Sequence, residues 1–446
     1  MGEKRKCYSW STGITNKLLY SHLVLKPAMD KSWILRTNVY EVNLRQYTLE
    51  GTITAFAASL PRLKDMGVET LWFMPITPIA QKNKKGTLGS YYACSDYTSV
   101  DAEFGTIEEW KALVRKAQAM GFKVILDWVA NHTGWDHHWT IAHPDYYKTD
   151  PTTGTFKAAS GMDDIIELDY DNPALRRAMI DAMKFWVIET GIDGFRCDLA
   201  FWVQLDFWVE AKAQLDTIRP LFWLAELDPL EHPDYMQVFD AAYTWTWMQG
   251  AQDFYQKSLP INTLRDILEE YAAVQGLKAW FTTNHDENSW NGTEYEKYGD
   301  AAIALAVFSC TYSGIPLIYS GQEAANKKRL QFFEKDVIDW SSSTPLHGFY
   351  QTLLTLRKTS PALAANAVVR NVSTSIPTVL AYLREEGKSG VLVLINLSVK
   401  SCHFILDDTS LFGVYRNVFS NAQRRIHASQ SIALNPCGYL VLERID

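Results

Sequence analysis

The chain has 446 residues, with 51 acidic against 43 basic side chains and a formal net charge of -8. An acidic chain without a basic run does not favour nucleic acid or anionic lipid as a partner, so a neutral ligand is expected. Six widely spaced cysteines form no CxxC pair, which argues against a zinc site of that kind. The first residues lead into no apolar segment, and no stretch reaches the roughly 18 apolar residues of a membrane span. We therefore expect a cytoplasmic protein without a membrane segment, and the sequence leaves its oligomeric state open.

Short β-rich runs alternate with helical patterns from about residue 39 onwards, as is typical of βα units around a parallel sheet. Predicted strands lie at 39–42, 70–74, 124–127, 192–198, 221–225, around 240–243, 280–283 and 316–319. Eight such strands predict a closed (β/α)8 TIM barrel of the α/β class. Two helices have clear boundaries: a capping box at Thr106 and Glu109 predicts one that ends at Gly121, and Asn172 before Pro173 begins one that ends at Gly191.

Two segments depart from the barrel pattern. Residues 133–171 are too long for an ordinary loop and predict a small excursion on the carboxyl-terminal face of the barrel, after its third strand. After Leu356 the pattern changes to alternating strands, which predicts a C-terminal antiparallel β domain. The predicted division is therefore barrel at 1–132 and 172–358, excursion at 133–171, and a β-sandwich at 359–446.

Acidic and basic side chains stand at four predicted strand ends, where barrel enzymes carry their active residues. The strands end in DWVANH (127–132), GFRCD (194–198), LAE (224–226) and NHD (284–286). One acid after a strand is more often a cap or a loop contact, but four such motifs in order favour an active site. Arg196 and Asp198 are two residues apart and face the same way, so Arg196 should keep Asp198 ionised as a nucleophile. Glu226 ends an apolar strand, which predicts a raised pKa suited to a general acid.

The segments DWVANH, GFRCDLA, FWLAEL and FTTNHD are similar to the four signature regions of the α-amylase family of retaining glycoside hydrolases. GVETLWFMPITPI, GSYYACSDY and GIPLIYSGQE also resemble family segments, in the same order. The resemblance implies cleavage of α-glucosidic bonds, most often α-1,4, in starch-derived glucans or maltooligosaccharides. It assigns Asp198 as nucleophile, Glu226 as general acid/base and Asp286 as transition-state stabiliser. It further implies that Arg196 orients Asp198, that His132 and His285 bind sugar hydroxyls, and that Tyr92 stacks on the sugar ring.

Departures from the family pattern leave the exact activity open. Phe201 and Trp202 stand where typical α-amylases have Lys-His, so a cyclomaltodextrinase or neopullulanase, an α-glucosidase or a transglycosylase remains an alternative. A non-catalytic glucan-binding relative is disfavoured because all three acids are present. The chemistry implied requires no cofactor. Asn131 matches a usual calcium ligand of the family and Glu167 lies in a segment similar to its fifth region, so the resemblance leaves a structural calcium site open.

Tryptophans are frequent near these motifs, and their flat faces suit sugar rings as well as ordinary loop packing. Those expected on loops of the active face are Trp128, Trp135, Trp139, Trp202 and Trp290. Each is a candidate glucan platform, and the sequence leaves packing as an equal alternative.

Overall fold

The computed structural model describes residues 30–340 and 344–446. The N-terminal segment on which the cytoplasmic prediction rests, and the first 29 residues of the predicted barrel portion 1–132, lie outside that range. Within the described part of the chain, every helix is too short or too polar to cross a membrane.

Eight parallel strands close into a barrel, which confirms the predicted fold class. Around the barrel the order is β1, β10, β9, β8, β7, β6, β3, β2 and back to β1. These strands are β1 Val39–Val42, β2 Thr70–Phe73, β3 Lys123–Trp128, β6 Gly194–Cys197, β7 Phe222–Ala225, β8 Ala241–Tyr243, β9 Leu277–Trp280 and β10 Ile315–Tyr319. Between β3 and β6, β4 His132–Gly134 pairs antiparallel with β5 Ile165–Glu167 and forms the base of the excursion.

Helices surround the barrel and begin largely where the sequence predicts. They are α1 Leu44–Tyr47, α2 Ile53–Phe56, α3 Leu60–Met66, α4 Ile107–Ala119, α5 Trp139–Ala142, α6 Pro173–Phe185, α7 Leu205–Leu215, α8 Trp245–Lys257, α9 Asn262–Ala273, α10 Glu294–Tyr298, α11 Ala302–Thr311 and α12 His347–Thr359. The capping box at Thr106 and Glu109 opens α4, and the Asn172 side chain accepts the Ala174 N–H at the start of α6. A π-helical turn, Trp186–Thr190, continues α6 as far as Gly191, which adopts the left-handed conformation.

The seventh barrel strand was predicted three residues too late. Strand β9 begins at Leu277 and ends at Trp280, because its pairing with β8 runs through Leu277, Lys278 and Ala279. A polar Lys278 after Gln275-Gly276 resembles a loop in sequence, which concealed the start of the strand. The segment after β9 is therefore free to leave the sheet and to carry its motif into the barrel mouth.

An antiparallel β region follows α12, as predicted. Six strands lie in the order β11 Val368–Asn371, β12 Val379–Glu386, β13 Ser389–Asn396, β18 Tyr439–Arg444, β15 Gly413–Asn417 and β16 Gln423–Ile426. A second, two-stranded sheet pairs β14 Cys402–Ile405 with β17 Ser431–Leu434. Side chains of both sheets, among them Leu392, Phe404 and Ile432, share one buried cluster. The domain limits at residues 133, 172 and 359 stay predictions.

Candidate active site

A cavity of about 380 Å³ opens at the carboxyl-terminal ends of the barrel strands. Asp198, Glu226 and Asp286 line it together with Tyr92 and His132. Asp198 follows β6, Glu226 follows β7, and Asp286 follows the segment that leaves β9. The parallel strands deliver these motifs to one end of the barrel, so residues far apart in sequence meet in one cavity.

Arg196 joins the acids at the floor of this cavity. Its fully buried guanidinium donates through Nη1 to Asp127 Oδ1 at 2.9 Å and to Asp198 Oδ1 at 3.0 Å. Its Nη2 lies 2.8 Å from Glu226 Oε2. One cation therefore serves three buried carboxylates, and the cavity floor carries an excess of negative charge.

Arg196 favours the ionised form of Asp198, as expected, but other influences on the pKa of this carboxyl outweigh it. Burial, and then the negative charge of Glu226, raise the pKa of Asp198 well above its ordinary value, while Arg196 opposes the rise. The pair Arg196 and Asp198 was read from the sequence correctly, but the two further acids on the same guanidinium were not taken into account. The charge of the whole cluster decides the ionisation of the predicted nucleophile.

Glu226 also lies in a different environment from the expected apolar one. Its Oε2 accepts the backbone N–H of Leu199 at 2.9 Å, in addition to the contact with Arg196. Leu199 has φ 39° and ψ 50°, a left-handed conformation that costs a non-glycine residue on the order of 1 kcal/mol or more. The strained backbone next to Asp198 thus directs an N–H group at Glu226.

His285 is held by two polar partners and carries charge at neutral pH. Its Nδ1 lies 2.6 Å from Glu41 Oε1 and its Nε2 lies 2.7 Å from the Tyr92 hydroxyl. Burial opposes protonation, but Asp286 and Glu41 outweigh it and raise the pKa of His285 to about 9. With both ring nitrogens protonated, His285 is a donor on both sides and places positive charge beside Asp286, 3.3 Å away.

Tyr92 connects the histidine to the arginine cluster. Its hydroxyl lies 2.7 Å from His285 Nε2 and donates to Asp127 Oδ2 at 3.2 Å, and its ring stacks on His285 with 5.4 Å between centroids. Trp72 Nε1 donates to the same Asp127 oxygen at 3.1 Å. The tyrosine ring is therefore fixed in orientation where it meets the cavity.

His132 stands on the other side of the cavity in the neutral form. Burial lowers its pKa to about 4. Its buried Nε2 has no hydrogen-bond partner among the described residues. His132 lines the cavity, and a neutral imidazole can exchange hydrogen bonds with a hydroxyl group, so its role in binding sugar stays a prediction.

The described residues do not fit a calcium ion at Asn131 and Glu167. Both carboxylate oxygens of Glu167 are taken by ammonium groups, Lys148 Nζ at 2.7 Å and Lys157 Nζ at 2.7 Å. The side chain of Asn131 turns toward His132, with 3.4 Å between Nδ2 and Nδ1. Two lysines on one acid repel a divalent cation, and residues 30–340 and 344–446 contain no group of three or more His, Cys, Asp or Glu suited to a metal.

The predicted aromatic platforms separate into buried and exposed residues. Trp128 and Trp139 are 1% and 8% exposed, so they pack against the protein and are not sugar platforms. Trp290 is 51% exposed and lines the cavity. Trp135 and Trp202 are half-buried and are not among the cavity residues. Of the five candidates, Trp290 has both the exposure and the position for a sugar platform.

Sequence reasoning missed Glu41 and Phe332. Glu41, fully buried at the end of β1, contacts His285, and an acid within the apolar run VYEV was a signal for it. Phe332 lines the cavity beside Trp290, with 5.3 Å between ring centroids. It lies in the segment after β10, whose sequence carries no motif, so tertiary structure alone reveals it.

Comparison with known proteins gives a consistent result. The family model for the α-amylase catalytic domain matches residues 30–154 and 145–220. Alpha-amylase 2 of Dictyoglomus thermophilum is 26% identical over 442 residues, which cover 91% of this chain and 73% of that protein. A cyclomaltodextrinase of a Bacillus species is 25% identical over 384 residues, covering 78% of this chain and 65% of that protein.

Among solved structures, the noncanonic maltogenic alpha-amylase AmyB of Thermotoga neapolitana superposes with a TM-score of 0.83. It is 28% identical, and the match covers 93% of this chain and 99% of that one. The described residues thus form a closed barrel with acids at its strand ends and a C-terminal β region. This chain belongs to the α-amylase family and is an enzyme of that family.

Proposed function

We propose that this enzyme hydrolyses α-1,4-glucosidic bonds in starch-derived glucans or maltooligosaccharides with retention of anomeric configuration. Asp198 is the nucleophile, Glu226 the general acid/base and Asp286 the stabiliser of the transition state. One observation carries the proposal: Asp198 and Glu226 both contact the guanidinium of Arg196 at the floor of the cavity. Asp286 lines the same cavity. The names of the relatives support α-glucans as the substrate class.

In the first step Glu226 protonates the glycosidic oxygen while Asp198 attacks the anomeric carbon, which gives a β-linked glucosyl enzyme. Asp198 loses its negative charge when it forms this ester. Glu226, which has given its proton to the leaving group, is now a carboxylate whose Oε2 lies 2.8 Å from Arg196 Nη2. That form is needed in the second step, in which Glu226 takes a proton from water as the water restores the α configuration.

His285 and Asp286 serve the same reaction from the opposite side of the cavity. Burial raises the pKa of Asp286, and a protonated His285, 3.3 Å away, opposes that rise and so favours the ionised form. An ionised Asp286 accepts hydrogen bonds from sugar hydroxyls and stabilises the positive charge that develops on the ring in the transition state. Hydroxyl binding and charge stabilisation thus come from the half-buried Asp286, supported by the buried His285.

Hydrolysis of cyclic maltodextrins is the second candidate. One relative is a cyclomaltodextrinase, and Phe201 stands in place of the lysine of typical α-amylases. Phe201 is 36% exposed and stacks on His232 with 4.6 Å between centroids, so an apolar surface follows the nucleophile motif. Product analysis over time on starch, pullulan, cyclodextrin and maltose distinguishes the two candidates.

The catalytic roles are tested by azide rescue of Glu226→Ala. This variant should lose most activity on glucans but still be glycosylated by substrates with acidic leaving groups, which need no protonation. Added azide attacks the glucosyl enzyme without a base and yields the α-glycosyl azide. Asp198→Ala is the matched control: with the nucleophile missing, azide attacks the substrate directly and yields the β-azide. A β-azide from Glu226→Ala, read by proton NMR, would show that the two roles are exchanged.

A further inference from the structure

One side of the catalytic cavity is lined by a segment that follows β2. We call residues 81–89 the β2 loop. Lys85 Nζ lies 2.9 Å from Asp163 Oδ1 and 2.8 Å from Asp164 Oδ1, both in the excursion. Asn83 Nδ2 donates to the Asp163 carbonyl at 3.3 Å, and Trp135 Nε1 donates to the same carbonyl at 2.8 Å. The β2 loop is thereby joined to the excursion by ion pairs and hydrogen bonds.

The other end of the β2 loop is joined to the segment after β10. Leu88 N donates to the Phe333 carbonyl at 3.1 Å, and Thr87 N donates to Glu334 Oε1 at 2.9 Å. Gly86 has φ +61°, and a Cβ added there would come within 2.5 Å of Phe333 Cβ. Such a close approach requires glycine, so the two segments are in direct contact.

These contacts make one continuous wall from the excursion, through the β2 loop, to the segment after β10. Lys85, Asp164 and Phe333 of the wall line the same cavity as Asp198. The Asp164 side chain is 7% exposed and the Lys85 side chain 36%. The ion pair between them therefore forms part of the cavity lining, with Asp164 buried and Lys85 partly exposed.

The order of the strands around the barrel shows on which side of the cavity the wall lies. Counting strands in either direction, β1 lies directly across the barrel from β7, which carries Glu226. The wall follows β3, β2 and β10, and the last two are the neighbours of β1. A general acid protonates the oxygen of the departing sugar, so the departing part of the glucan lies on the Glu226 side. The sugar that stays on the nucleophile, together with everything on its non-reducing side, lies toward the wall.

We propose that the wall limits the cavity to the free non-reducing end of an α-glucan, so that the enzyme cleaves from that end and releases glucose or maltose. This inference rests on the proposed function and on the assignment of Glu226 as the acid. It names as substrate a linear maltooligosaccharide with an unmodified terminal glucose. Long chains extend from the cavity only on the Glu226 side.

The test compares two maltoheptaosides that carry a chromophore at the reducing end. One has a free non-reducing glucose and the other has its 4- and 6-hydroxyls blocked by an ethylidene group. We expect the blocked compound to react roughly 100-fold more slowly, since even one group without space in a fitted site costs about 10- to 200-fold. Early products of the free compound should be glucose or maltose and a long labelled fragment.

Two variants of the β2 loop sharpen the test. Lys85→Ala removes both ion pairs to the excursion and should raise the rate on the blocked compound relative to the free one. Lys84→Ala is the matched control: the Lys84 ammonium contacts Gln81 within the loop, at 3.0 Å, so the ratio should stay as in the wild type. If the ratio of the rates on the blocked and free compounds were unchanged in Lys85→Ala, the ion pairs of Lys85 would not be what closes the non-reducing end.

The outcomes also separate the two proposals. Cleavage of both compounds at similar rates, with internal fragments, overturns closure of the non-reducing end and leaves the proposed function in place. If neither compound is cleaved, the proposed function itself fails. Rapid reaction of the free compound alone supports both.

Discussion

Asp286 and Glu287 are adjacent in the chain, but Asp286 lies half-buried at the catalytic cavity and Glu287 belongs to a buried ion pair. Asp286 lines the cavity, beside a cluster in which Arg196 alone serves three carboxylates. Glu287 turns into the protein and pairs with Lys297 at 2.6 Å, with both side chains almost fully buried. Its remaining oxygen accepts a hydrogen bond from Asn291 at 2.9 Å.

The cavity cluster and the Glu287–Lys297 pair differ in how their charges are balanced, and this difference separates charges used in chemistry from charges used in structure. The Glu287 pair balances one charge with one countercharge, as a buried pair must to be tolerated. The cavity cluster has three carboxylates around one guanidinium, and burial together with the negative charge of Glu226 raises the pKa of Asp198. Unbalanced negative charge lowers the stability of the folded enzyme, but it can stabilise a substrate that becomes positively charged in the transition state.

Removing the charge of the nucleophile should have the largest effect. We expect Asp198→Asn to lower kcat/KM on maltooligosaccharides by roughly 10⁴-fold or more. Thermal stability should be equal or higher, because the substitution removes a buried charge that its neighbours disfavour. Asp286→Asn should show a similar loss of activity with the fold retained. Kinetics together with circular dichroism check both, and near-normal activity in either variant would contradict the site assignment.

The Glu287 pair should respond in the opposite way. Lys297→Met leaves Glu287 buried without its cation and should lower the free energy of unfolding by about 3–5 kcal/mol. The double variant Glu287→Gln/Lys297→Met removes both charges and should recover part of that loss. Urea unfolding measures the three free energies. If Lys297→Met unfolded like the wild type, the pair would not be the structural element described here.

Glu41 should control the alkaline limit of activity through His285. The pKa of His285 is raised to about 9, so its positive charge is present at neutral pH and is lost as the pH rises through that value. Glu41→Gln removes one of the charges that raise this pKa, so the alkaline limb of kcat/KM should move about one unit or more to lower pH. The control is Glu294→Gln, another buried acid, whose pKa burial raises to about 7. The same shift in both variants would argue against a specific role for Glu41.

The smallest expected effect is a dependence of stability on pH. The pKa of Asp198 is higher in the folded state than in the unfolded one, so the folded state holds its proton to higher pH and loses stability as the pH rises above about 4. Asn at this position does not titrate. The difference in melting temperature between Asp198→Asn and the wild type should therefore be small near pH 4 and grow toward neutrality. A difference that shrinks with rising pH would mean that the sign of the shift is wrong.

The sequence predicted the barrel, the C-terminal β region and the meeting of Asp198, Glu226 and Asp286 in one cavity, because strand ends of a parallel barrel converge. The catalytic roles of the three acids stay predictions. The raised pKa of Asp198 was not predictable from Arg196 alone, since it depends on burial and on the nearby Glu226 as well. The start of β9 was missed because a polar Lys278 pairs within the sheet, and Phe332 because no local pattern marks it.

The pairing of Glu167 with Lys148 and Lys157 has a practical consequence for handling the enzyme. These two lysine side chains are 39% and 50% exposed, so dissolved ions reach the pairs. Screening shortens the range of such attractions from about 10 Å at 0.1 M salt to about 3 Å at 1 M. The excursion should accordingly be cut faster by proteases in concentrated sodium chloride. Chelators such as EDTA should leave its rate of digestion unchanged, because lysine side chains supply the positive charge there.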